Sequence, residues 1–416
     1  MLEGLDAIPW AELEHAYGPA ADVPELIRAL ASSDDKTRGR GYAHLYGNIF
    51  HQGSRYQATP YVVPFLFELL LDSSTPDRQG LLSLLLSLAM GYEQHFLPFG
   101  FDPDAYFALL DTQEAHEKYE RALALGVMYG EDDTAEEKED DPDGGYDDEE
   151  RLDLFEIKSA FGARDAYRAV RDRLQELLPL LEEDDLSVRL QTAYAFAWFP
   201  ERFDLTFPRL LRIAVEGRTP FERANALPAL GILARSQNVP MDTPLLLECL
   251  KEPYPTVQRL AAVALITLFG AEAPEEAFAV LLVALLAEEH EAETDRTEPH
   301  VLWNHGDLVG YAAIVLEKAA QGRAEVVVAA LLAALEGASP LRSLTLIGVL
   351  LRLTFPERKF HGDRAESLNP LQRRTLKAIA EHGAWKVGRS HFSQFGTLLH
   401  SYNLPSTQET MRNFLA

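Results

Sequence analysis

The stretch Asp185-Leu-Ser-Val188-Arg189-Leu-Gln-Thr-Ala193-Tyr-Ala-Phe196 decides the fold. An acidic turn leads into an Arg. Apolar residues follow the Arg at four and seven positions, the spacing that puts side chains on one helix face. The same frame recurs. Arg38 has Tyr42 and Leu45, Arg78 has Leu82 and Leu85, Arg223 has Leu227 and Leu230, and Arg342 has Leu346 and Val349. Gln258, with Ala262 and Leu265, fills the slot once. The spacings along the series 38, 78, 189, 223, 258, 342 are 40, 111, 34, 35 and 84 residues. A period of about 35–40 residues in a helical chain is the mark of stacked helix hairpins. The two long gaps must hold degenerate units and insertions.

The helical signals come in pairs. A first helix opens at Asp22-Val23-Pro24 and a second covers Thr37–Ile49. The next pair begins at Thr59-Pro60, a cap followed by a proline in the first turn. Pro64 inside it predicts a kink or a one-turn shortening. Asp77–Met90 is the partner helix. Further pairs are Ala166–Leu181 with Leu186–Phe199, Leu205–Val215 with Phe221–Ala234, and Thr243–Leu250 with Thr256–Phe269. Ala277–Ala287 pairs with Leu308–Ala319, and Ala324–Leu335 with Pro340–Leu353. Asn369–His382 and a looser helical tail, Pro405–Leu415, close the chain. No stretch alternates long enough to predict a strand. The expected fold is all-α, a right-handed α-solenoid of about eight or nine helix pairs. The expected organisation is N-terminal repeats over 1–130, an acidic insertion over 131–150, central repeats over 151–287, an inserted loop over 288–307, and C-terminal repeats with a helical cap over 308–416.

A chain of 416 residues exceeds a single compact core, and a solenoid escapes that limit because each repeat is buried by its neighbours. Lys and Arg number 38 against 65 Asp and Glu, so the net charge is −27. That charge opposes nucleic acid and anionic membrane surfaces and favours basic partners. One cysteine, Cys249, allows no intrachain disulfide and suits a reducing compartment. Residues 1–10 carry no basic start and no long apolar run, and no apolar run elsewhere is long enough to span a bilayer. A cytoplasmic protein is expected.

The units resemble HEAT repeats, whose second helix carries the spacing seen in Asp185-Leu-Ser-Val188-Arg189 followed by Ala193. The stretches Trp10-Ala-Glu-Leu13-Glu-His15-Ala16-Tyr17-Gly18, Asp22-Val23-Pro24, and Asn48-Ile-Phe-His51-Gln52-Gly53 followed by Tyr56, Ala58 and Thr59 look like a bacterial family of cytoplasmic HEAT-repeat proteins. Ala195–Glu201, with Trp198, looks like that family too. Some similar bacterial proteins serve as immunity or accessory proteins beside secreted toxins. The resemblance therefore implies a binder that neutralises a basic toxin domain.

The repeated Arg38, Arg78, Arg189, Arg223 and Arg342, with Gln258, are expected to be structural, bonding turn carbonyls or the acid of an adjacent repeat. The segment Glu131–Glu150 holds 13 acidic residues and one Lys. Such a block is ordinarily solvated. Glu139, Asp141, Asp143, Gly144, Asp147 and Glu150 also fall at the ligand and glycine positions of a calcium loop, though Pro142 and the Glu at the first position depart from that pattern. The loop Asn48–Thr59 offers His51, Gln52, Arg55 and Tyr56, either as caps for two helix ends or as the rim of a binding surface. The insertion carries Trp303 and His305. Its His and acid spacing fits no zinc motif, and Trp303 either docks on the repeats or serves as a partner contact. No nucleophile elbow, phosphate loop or dinucleotide fingerprint is present. The expectation is a non-enzymatic protein binder without a cofactor. Its rivals are a HEAT-like alkylpurine DNA glycosylase, which the charge opposes, and a homomeric scaffold.

Overall fold

A computed structural model describes residues 2–127, 148–239, 241, 243–286, 301–362 and 365–416. The protein is all-α, with 19 α-helices among the described residues. It divides into two units, Met1–Phe96 with Phe101–Thr206, and Leu97–Gly100 with Phe207–Ala416. The first unit holds α1 (Val23–Leu30), α2 (Asp35–Asn48), α3 (Thr59–Leu71), α4 (Arg78–Met90), α5 (Pro103–Phe107), α6 (Gln113–Ala124), α7 (Asp148–Arg173) and α8 (Leu186–Phe196). The division falls within α9 (Phe203–Glu216). The second unit continues with α10 (Pro220–Ser236), α11 (Thr243–Cys249), α12 (Pro255–Phe269), α13 (Glu275–Leu285), α14 (Leu308–Lys318), α15 (Ala324–Leu335) and α16 (Pro340–Thr354). It ends with α17 (Pro370–His382), α18 (Ser393–Ser401) and α19 (Gln408–Leu415).

Short polar turns start these helices. Asp34 accepts from the Thr37 amide at 2.8 Å, and Asp185 accepts from the amides of Ser187 and Val188. Thr219 with Glu222, and Asn369 with Gln372, close reciprocal capping boxes. Several second helices of the hairpins are buried nearly all round, although α2 is not. In α8 every residue from Val188 to Phe196 is buried, and in α10 every residue from Ala224 to Ala234. A helix without a polar face must be covered on all sides. Within the second unit, α10 packs on α12, α12 on α14, and α14 on α16, while α15 packs on α16 as its hairpin partner. Small residues permit these approaches. A Cβ on Gly231 would lie 3.0 Å from the Ala264 Cα, so α10 and α12 meet almost backbone to backbone.

The repeated cation has a fixed local task. Arg38 Nη1 donates to the Ser32 carbonyl at 2.8 Å, and Arg189 Nη1 to the Glu183 carbonyl at 2.6 Å. Gln258 Nε2 donates to the Glu252 carbonyl at 2.7 Å. Each acceptor lies six residues before its donor, at the turn where the preceding helix leaves carbonyls unfilled. Arg78 reaches the Leu70 carbonyl at 2.8 Å. Arg223 and Arg342 reach acids of other hairpins, Glu252 and Asp307. Arg78 adds Glu183 at 2.9 Å, and that guanidinium holds the Glu183 carboxyl below its ordinary range. Arg189→Met keeps the aliphatic packing and strips the carbonyls of Glu183 and Asp184 of this donor. We expect it to lower unfolding stability by about 1–3 kcal/mol, read from urea midpoints. Arg189→Gln should recover part of the loss, because Gln258 serves the same carbonyl position.

Several local expectations change. Thr59 is the first residue inside α3 and not its cap. Its hydroxyl accepts from the Tyr56 amide and donates to the Ile49 carbonyl, both at 2.8 Å. The helix runs unbroken through Pro64. The carbonyl four residues back belongs to Pro60 in the first turn, where it can tilt away from the ring. The helix expected over 166–181 begins far earlier, at Asp148, and passes into 3₁₀ turns over Leu174–Glu182. Two short antiparallel ladders also form, Glu14–His15 with Gly18–Pro19 and Lys386–Val387 with Ser390–His391.

Candidate interaction surface

In the first unit the N-terminal ladder and the loop after α2 are stitched together by part-buried hydrogen bonds. The Tyr17 amide donates to His15 Nδ1 at 3.0 Å. With Nδ1 occupied as an acceptor, the ring proton sits on Nε2 and is donated to Asp22 Oδ1 at 3.0 Å. The second Asp22 oxygen accepts from Asn48 Nδ2 at 2.7 Å. Asn48 in turn accepts the Ala16 amide on its backbone carbonyl at 2.9 Å, and the Ala58 amide reaches the Glu14 carbonyl at 3.0 Å. His15 and Asn48 are buried, while Asp22, which joins them, is 48% exposed, so these bonds are only partly shielded from water.

This frame holds aromatic side chains at the surface. Tyr17 is 64% exposed, and its hydroxyl lies 3.2 Å from His51 Nδ1 with the two rings edge to face. Phe50 packs edge-on against Tyr92, and Tyr92 against His95. Tyr92 is 42% exposed. Tyr106, 54% exposed, packs against Phe96 and Phe101. Tyrosines pinned on one side and wet on the other are the usual anchors of protein interfaces, since they bury large area and lose few rotamers.

No protein-family model matches this chain, and no curated protein matches it.

The other residues singled out by sequence lie elsewhere. Gln52 is exposed on the same loop, in a left-handed conformation. Arg55 and Tyr56 are buried, with Tyr56 against Phe155. Trp198 and Trp303 have no exposed surface, so neither ring offers a partner anything to touch. Trp198 packs on Tyr194. Trp303 docks into the second unit, where its indole N–H donates to the Asn225 carbonyl at 2.9 Å. His305, two residues on, is exposed. Glu139, Asp141, Asp143 and Asp147 lie outside the described residues. Glu150 pairs with Arg121 at 2.7 Å. Among the described residues no group of three or more His, Cys, Asp or Glu could hold a metal ion, and no helix is long and apolar enough to cross a membrane. Cys249 is buried, which pushes its thiol up to about 11 and away from reactivity at neutral pH. The exposed tyrosines escaped sequence reading because Tyr17, Tyr92 and Tyr106 share no periodic pattern. Only their neighbouring turn glycines, Gly18 and Gly91, hinted at surface positions.

Proposed function

We propose that this chain is a non-enzymatic, HEAT-like protein binder, a right-handed α-solenoid of about eight or nine helix pairs that captures a basic protein domain. Supporting the architecture are the serial packing from α10 to α16 and the donor repeated six residues after its acceptor carbonyl. The observation that carries the binding reading is the set of half-exposed tyrosines, Tyr17, Tyr92 and Tyr106, each packed on one or more aromatic neighbours. A charge of −27 adds attraction for a cationic partner and repels nucleic acid and anionic membranes. Neutralisation of a toxin domain encoded nearby is the most concrete form, in a cytoplasmic setting. The test is binding of purified chain to cationic domains encoded beside it, across about 0.05–0.5 M salt. Association should slow steeply with salt, and Tyr92→Ala should weaken binding by about tenfold or more. Salt-independent association, or full affinity in the Tyr92 variant, counts against the reading.

A homomeric scaffold is the second reading, favoured by one feature. The outer face of α13 and α15 leaves Val283 71%, Leu286 59% and Val326 52% exposed. Light scattering that returns a monomer mass at high concentration removes it.

A further inference from the structure

Arg55 is a buried cation without an acid partner. Its side chain leaves only 7% exposed, and no carboxylate among the described residues pairs with it. Arg78, Arg164 and Arg342, comparably buried, each hold an Asp or Glu within 4.0 Å. In a chain with 65 acidic residues a buried cation without an acid calls for a reason. One Arg55 nitrogen donates to the Gly53 carbonyl and Tyr106 lies beside the guanidinium, while Nε–H has no partner. Burial makes the charged form costly, and no acid offsets it. The backbone is shaped to admit the group. Gly91 has φ +71°, and a Cβ there would lie 2.5 Å from the guanidinium. Tyr92, next along the chain, and Tyr106, across the guanidinium, are the two half-exposed tyrosines that border it.

We propose that Arg55 is a carboxylate-receiving site, with the Tyr106 hydroxyl as the placeholder that an incoming carboxylate displaces. A guanidinium edge presenting Nε–H and an Nη–H matches the two oxygens of a carboxylate, and such a pair is short and directional. Nε has no exposed area, so Tyr106 must swing outward first. Its ring packs against Phe96, Phe101 and Phe107 and is 54% exposed. The site lies within the tyrosine surface and rests on the reading of that surface as a contact region. It does not require the partner to be basic overall.

Thermal melts of the full chain test this without knowing the partner. The probes are sodium acetate, sodium succinate and a short end-blocked peptide bearing a single Asp, each against chloride at matched ionic strength. Wild type should melt higher in at least one of them. Arg55→Met should show no such rise, and its own melting point in chloride should stand about 2 °C or more above wild type, because an uncompensated buried charge is gone. Tyr106→Phe should bind the probe more tightly, by about twofold or more, since nothing then competes for the guanidinium. A response to acetate and succinate assigns the site to free carboxylates. A response to the peptide alone assigns it to a side chain of a protein partner. No rise with any probe, an equal rise in Arg55→Met, or a lower melting point for that variant overturns the proposal. None of these results depends on capture of a cationic domain, so failure here and failure of the binder reading are separable.

Discussion

Trp303→Ala should lower the unfolding free energy of the second unit by about 3–5 kcal/mol. The ring has no exposed surface and stacks on Tyr311, centroids 6.0 Å apart and planes 11° off parallel. Its N–H donates to the Asn225 carbonyl, and the Leu302 amide adds a bond to Asn225 Oδ1 at 3.1 Å. Asn225 is itself fully buried, so losing the indole removes a donor from a buried carbonyl as well as opening a cavity. A second cost is conformational. Asn304 and His305, the next two residues, sit in the left-handed region at φ 50° and 55°, before Gly306 at φ 84°. Non-glycine residues hold that geometry only when surrounding contacts over-determine it. The docked indole is the contact that does so, and without it the segment should relax. Urea denaturation followed by far-UV dichroism reads the loss, and amide exchange around Asn225 reads the loosening. Trp303→Phe should recover more than half of the stability without restoring the indole hydrogen bond. A Trp303→Ala loss under about 1 kcal/mol would show that the loop contributes little to the core.

The same residue marks how far sequence reading reaches. Pairs of helices were legible wherever an apolar stripe ended in a polar turn, as at Asp77–Met90 against the observed α4, or Ala324–Leu335 against the observed α15. Legibility failed where charge interrupts the stripe. Residues 148–165 are rich in Asp, Glu, Lys and Arg, and the apolar side chains that seat α7, among them Leu154 and Phe161, are too sparse to announce a helix. The ladder at Glu14–His15 is only two residues long on each side, shorter than any alternation can signal. Helix α18 was missed for a related reason: Ser393–Ser401 is short, and its buried residues are only Phe395, Gly396 and Leu399.

Site residues divide along a different line. Residue type and spacing identify what a side chain can do, but exposure comes from packing that sequence does not contain. Trp198 and Tyr17 both stood in distinctive local stretches. Burial leaves Trp198 no surface and gives Tyr17 an open face. Arg55 was noticed as part of a polar loop. Its lack of an acid partner is visible only once Gly53, Gly91 and Tyr106 are brought round it.

Asp307→Ala should destabilise the second unit by about 2–4 kcal/mol, from two losses that can be separated. The carboxylate caps α14 by accepting the Gly310 amide at 3.0 Å, and removing a cap of this kind costs about 1 kcal/mol. The same oxygen accepts from Arg342 Nε at 3.1 Å, 35 residues along the chain, so one acid joins the start of α14 to the start of α16. Arg342 is 11% exposed and Asp307 25%, so the pair is partly screened and its loss falls short of a fully buried one. Asp307→Asn keeps an oxygen for the cap and drops the charge, and should fall between wild type and the Ala variant. A double-mutant cycle with Arg342→Met isolates the link between the hairpins. A coupling of about 1–2 kcal/mol means the repeated cation ties neighbouring hairpins together, as its place in the sequence period implies. Additive losses within about 0.5 kcal/mol mean instead that each residue serves only its own helix start, and the period then reflects capping rather than stacking.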